Sequence, residues 1–252
     1  MPLTADLTSA DLNEIRQSAL GAADPLGVAG ELADAADSGR LADLADAGYA
    51  LALAAEIAES RTKLDAALRY VERALEAYGK RDDSRVAAAR ALRARVLFRV
   101  GREDEAMAEL EPLRPLLTQY PDAAAYISAA LAAGGRNRLA EQWLTEAAQS
   151  ALADRAGSAE PTSADLVFFL LQQRHRLRHV LGMPHDSHDN LAERLESKLT
   201  STAADEQADV LVFWPRAEFD QVVTRWPVWT EADGDSWDEH RARVERGLSR
   251  HE

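Results

Sequence analysis

The sequence predicts a mostly all-α fold: an α-α superhelix of paired helices, followed by a small C-terminal region of one short strand and helices. Three observations predict it. Alanine supplies 50 of the 252 residues, and alanine is the strongest helix former while being depleted in strands. A triple of alanine, an apolar residue four on and another three further recurs as Ala29/Ala33/Ala36, Ala67/Val71/Ala74, Ala106/Leu110/Leu113 and Ala140/Leu144/Ala147. Offsets of four and seven fall on one helical face, so each triple is the inner stripe of a helix. The spacings between first members are 38, 39 and 34 residues, a period that fits a helix, a short turn and a second helix stacked in series.

The elements follow in order. The chain opens Met1-Pro-Leu-Thr-Ala-Asp6, without the basic start and apolar core of a secretory signal. No run approaches the roughly 18–20 apolar residues that span a bilayer, so a cytoplasmic protein without membrane partners is expected. The first helix is expected to start near Thr8, whose hydroxyl can cap it, as could that of Ser9. The later copies have a preceding helix and a tight turn. The third reads Arg99-Val-Gly-Arg-Glu-Asp-Glu-Ala106 and the fourth Ala133-Gly-Gly-Arg-Asn-Arg-Leu-Ala140. Glycine just past a helix suits a left-handed helix end.

Residues 1–155 are therefore expected to form one helical repeat domain, and 156–252 an extension. The stretch Ala156 to Ser163 reads as a loop. A helix runs from about Ala164 to Leu181 and stops at Gly182, with Pro184 beyond. The next begins at Asp186, with Asp189 three later, and carries Leu191, Leu195 and Leu199 inward. Thr200 to Glu206 reads as a loop. A strand is expected near 209–214, where Val210-Leu-Val-Phe-Trp214 is rich in strand formers, and the last helix from about Trp237 to Ser249. A lone strand needs a partner. Phe213, Trp214 and Trp226 are therefore candidate interface residues, for a homodimer or another chain.

Gly101 with Ala106, and Gly135 with Ala140, resemble the turn glycine and the small residue five later in tetratricopeptide repeats. The copy at Ala67 has Thr62 in the glycine position, and that at Ala29 has Asp24. The resemblance covers roughly residues 5–155. The chain also resembles a group of actinobacterial proteins that join such repeats to a small terminal region and often end in the zinc-binding SEC-C motif. The matching segments are Gly101-Arg-Glu-Asp-Glu-Ala-Met-Ala-Glu-Leu110, Leu139-Ala-Glu-Gln-Trp-Leu144, Leu181-Gly-Met-Pro-His-Asp186, Phe213-Trp-Pro-Arg-Ala-Glu-Phe219 and Trp237-Asp-Glu-His-Arg-Ala-Arg-Val-Glu-Arg246. With no cysteine, this chain cannot carry the SEC-C zinc tail. Cysteine-free composition also removes disulfides and cysteine nucleophiles.

The resemblance implies a concave groove lined by the first helix of each pair. Counted from the turns, Tyr49, Ala52, Glu56 and Glu59 face it from one helix, and Arg95, Phe98 and Arg99 from the next. Such a groove, with one acidic and one basic wall, suits a peptide or partner helix. The alternative is that these arginines pair with neighbouring acidic helices. The net charge of −14 argues against nucleic acid as a general partner. The charge is uneven: the first 60 residues hold 11 acids and two bases, whereas Arg85, Arg90, Arg93, Arg95, Arg99 and Arg102 follow in one stretch.

The other chemical cluster is Arg174-His-Arg-Leu-Arg-His179 with His185, Asp186, His188 and Asp189. His175, His179, His185 and His188 are the candidate metal donors, since histidines four apart share a helical face. Arg174, Arg176 and Arg178 oppose a cation there, so no metal or cofactor is assigned. There is no phosphate-cradling glycine loop, Gly-x-Ser-x-Gly elbow or His-Glu-x-x-His. The expectation is a non-enzymatic interaction protein. The alternative is a metal-dependent or nucleic-acid-associated activity of segment 174–189.

Overall fold

A computed structural model describes residues 6–19, 21–43, 46–81, 83–157 and 164–205. The expected strand near 209–214, the last helix, and Phe213, Trp214 and Trp226 lie outside the described residues. Every regular element among the described residues is helical, and the one β-type pairing is an isolated parallel bridge between Leu7 and Leu41. The chain divides into two compact units, Met1–Leu113 and Arg114–Glu252. The division falls ahead of the loop expected at 156–163.

The first unit holds α1 (Ser9–Ala19), α2 (Pro25–Ser38), α3 (Ala47–Ser60), α4 (Leu64–Tyr78), α5 (Ser84–Arg99) and α6 (Glu103–Leu110). Thr8 caps α1 as expected: its Oγ1 accepts from the Asp11 amide at 3.2 Å, while Asp11 Oδ2 accepts from the Thr8 amide at 2.8 Å. Asp24, which replaces a turn glycine, caps α2 instead, accepting from the Gly27 amide at 2.9 Å. Each helix packs on its sequence neighbour, and α1 and α5 also pack on α3. The inner stripes lie in α2, α4 and α6 and are closed to solvent, except that Ala36 is half-buried. Leu113, the last of the third triple, lies beyond α6 in a 3-10 helix, Glu111–Thr118. Pro112 and Pro115 lack the amides that an α-helix would use there.

Five helices end in the same way. The amides of Arg40, Lys63, Arg102, Arg136 and Met183 reach back five residues to the carbonyls of Ala35, Ala58, Leu97, Leu131 and Arg178, at 2.8–3.0 Å. The residue before each amide is left-handed: Gly39, Thr62, Gly101, Gly135 and Gly182. This double-bonded helix end satisfies carbonyls that the helix itself cannot. Thr62 is the one non-glycine residue with positive φ, 58°, among the described residues. A β-branched residue is strained there.

The second unit holds α7 (Pro121–Ala133), α8 (Asn137–Gly157), α9 (Ala164–Val180) and α10 (Ser187–Asp205). Pro121 opens α7, where its missing amide is not needed. The fourth inner stripe, Ala140/Leu144/Ala147, is buried on α8. Helix α9 packs on α7, α8 and α10. The expected loop over 200–206 is helical through Asp205, because the stretch has no glycine or proline to stop it and includes Ala203 and Ala204. Among the α10 residues whose burial is described, 187–196, Asp189 and Ala192 are buried, while Leu191 and Leu195 are half-buried.

Candidate functional site

Two polar constellations stand out, one in each unit. The first lies along α3 and α5. Helix α3 is buried all round except at Ala47, Tyr49, Ala52, Glu56 and Ser60, so its open surface is a narrow stripe at helical spacing. Tyr49, Ala52 and Glu56 of the expected groove lie on that stripe. At one end, Arg85 of α5 sits 4.9 Å from the Tyr49 ring centroid and pairs with Asp46 at 2.7 Å. Asp46 is buried and also accepts from the Ser9 hydroxyl at 2.5 Å.

At the other end, the two expected groove walls meet. Arg95 Nε lies 2.9 and 3.0 Å from the two carboxylate oxygens of Glu59, and its Nη2 donates to the same carboxylate. Arg99 Nη1 donates to the Glu59 backbone carbonyl at 3.0 Å and to its carboxylate at 3.2 Å. Glu59 is 5% exposed and Arg95 8%. Phe98 is buried beside them. These two charges therefore satisfy one another inside the unit rather than facing across an open groove. About a third of the Arg99 side chain stays exposed. The remaining arginines of α5 are held similarly: Arg90 and Arg93 pair with Glu109 of α6 at 3.0 and 2.5 Å.

The second constellation joins α8, α9 and α10. Arg174 Nε donates to the Thr145 hydroxyl at 2.7 Å, Nη2 to Asp186 at 2.5 Å, and Nη1 to Asp189 at 3.1 Å. Arg178 donates to Glu141 at 2.9 Å, Asp189 at 3.1 Å and the Pro184 carbonyl at 2.6 Å. Arg174 is 2% exposed and Asp189 1%. Asp186 also caps α10, accepting from the His188 and Asp189 amides at 2.9 and 3.1 Å, while Asp189 accepts from the Asp186 amide at 3.0 Å. The hydrogen bond from the Arg174 guanidinium holds the Asp186 carboxyl far below the usual carboxylate range; it outweighs desolvation, with the Asp189 amide and the Arg178 charge adding to it. For Arg178, burial pulls the pKa down, but hydrogen bonds to Glu141 and Asp189 outweigh it and leave it raised.

Two of the three arginines expected to oppose a cation, Arg174 and Arg178, are thus matched by carboxylates. Beside them, His175, His185 and Glu193 bring ligand atoms within 4.8 Å of one another. His185 Nε2 is 3.2 Å and His175 Nε2 3.8 Å from Glu193 Oε1. The imidazole rings stand edge to face, 5.3 Å between centroids. His179 and His188 do not join this group. Glu193 was not legible in the sequence, because its place beside His185 depends on how α10 leaves the turn.

The chain matches no protein-family model, and no curated protein sequence matches it.

Proposed function

We propose that the chain is a non-enzymatic interaction module, tetratricopeptide-like in its paired helices, that takes a peptide or helix of a partner protein along the open stripe of α3. The observation that carries this reading is that stripe. Tyr49, Ala52 and Glu56 are the accessible line of a helix otherwise sealed, and Arg85 and Arg99 of α5 flank it. A half-buried aromatic with adjacent acidic and basic groups is the kind of surface that anchors a partner and sets its register. The recurrent helix ends at Thr62, Gly101 and Gly135, each five residues before a buried alanine, support the repeat reading.

Crosslinked capture from a lysate of the source organism tests it. A partner held by the native chain should be lost with the pair Tyr49→Ala and Glu56→Arg, and kept with Asp65→Lys at an exposed position of α4. Circular dichroism should remain unchanged in both variants. Capture indifferent to the stripe would sink the proposal.

A further inference from the structure

We propose that His175, His185 and Glu193 bind one divalent transition-metal ion, zinc being the best match, and that the ion fastens the α9–α10 turn to both helices. The three residues come from three places: His175 from α9, His185 from the turn at 181–186, and Glu193 from α10. Their convergence is therefore a product of the tertiary fold and not of helical spacing along one exposed face. The donor set is two imidazoles and one carboxylate. It suits zinc, which can bind through three protein ligands with water in the fourth position, better than calcium or magnesium, which prefer oxygen donors throughout.

His175 is already oriented for this role. Its Nδ1 lies 3.3 Å from Asp189 Oδ1, and Asp189 is itself fixed by Arg174, Arg178 and the Asp186 amide. Nε2 is then the nitrogen left toward Glu193. Metal-binding histidines commonly carry such a carboxylate on the other ring nitrogen, which fixes the tautomer and ring plane. Glu141, Asp186 and Asp189 offset the guanidinium groups of Arg174 and Arg178, and Glu193 lies against both histidines. Bonds of about 2.1 Å would bring tetrahedral ligand atoms to roughly 3.4 Å apart. The 4.8 Å spread closes by rotation of His185 and Glu193, whose side chains are about half exposed.

The test uses the full chain, stripped with a chelator, dialysed and titrated with zinc against a chromophoric competitor. We expect one ion per chain, and a melting temperature that rises with added zinc because the ion binds the folded state. His185→Ala and Glu193→Gln should each weaken binding at least about tenfold. Both side chains are half exposed, so neither change threatens the fold. His179→Ala and His188→Ala should leave the affinity unchanged. Failure to compete with the chelator would overturn the proposal. So would undiminished binding in His185→Ala, which would put the ion elsewhere on the chain.

Discussion

Arg95 of α5 closes on Glu59 of α3 through both carboxylate oxygens, with both side chains almost out of solvent. A buried pair of this kind contributes little net stability, but removing one partner strands the other in a poorly solvating interior. Glu59→Leu alone should cost about 3–5 kcal/mol, and Arg95→Leu less, because Arg99 stays on the Glu59 carboxylate. The double replacement should recover much of that loss, since Arg99 reaches solvent when Glu59 is gone. Urea unfolding of the three variants measures the coupling; additive losses would contradict the pairing.

Thr62 should be a removable strain. Its φ of 58° lies in the left-handed region that Gly101 and Gly135, at 82° and 67°, occupy in the equivalent turns. Thr62→Gly is expected to stabilise the chain by about 0.5–1 kcal/mol, the relief of a β-branched residue less the added freedom of glycine in the unfolded chain. Gly101→Ala should do the reverse. A Cβ at Gly101 meets nothing within 4 Å, so any loss reports backbone conformation alone. Paired thermal melts decide both.

Gly48 lies inside α3, where alanine would ordinarily favour the helix by up to about 1 kcal/mol. A Cβ there would stand 2.6 Å from ring carbons of Tyr78 on α4. Tyr78 is buried, so its ring has no room to retreat. Gly48→Ala should therefore destabilise by about 1–3 kcal/mol, and Tyr78→Leu in that background should restore part of it. A Gly48→Ala protein more stable than the parent would refute the close contact.

Acid should loosen the α9–α10 end. Because the Asp186 pKa is depressed in the folded protein, its contribution is complete above the ordinary carboxylate pKa. It is lost as pH falls below about 4 toward the folded value. Melting temperatures from pH 7 down to pH 3 should show a decline that is shallower in Asp186→Asn, with the variant already weaker at pH 7.

Much of the helical architecture was legible because its signals are local. Gly101, Gly135 and Gly182 each mark a helix end within one turn of chain, and the offset of five from Ala67 points to Thr62 as the same device. The capping by Thr8 and Asp186 was likewise readable from hydroxyl and carboxylate positions. What escaped was tertiary. Helical arithmetic puts Arg95 and Arg99 on one face of α5, but not Glu59 against them. It pairs His175 with His179 four residues away, whereas the fold pairs it with His185 and Glu193. The continuation of α10 through Thr200 escaped because weak helix formers are not helix stops.

The alanine-lined contacts between helices change how this protein should tolerate sequence drift. At Ala54, Ala58, Ala67, Ala74, Ala94 and Ala106, all fully closed to solvent, there is almost no side chain left to delete and no rotamer freedom lost on burial. The familiar hazard of a core, truncation that opens a cavity, is largely absent at such positions. The hazard is enlargement: one methyl group too many pushes two helices apart. Viable homologues should therefore exchange these sites among glycine, alanine and serine. Where a larger residue appears, a shrunken neighbour should appear across the same helix contact.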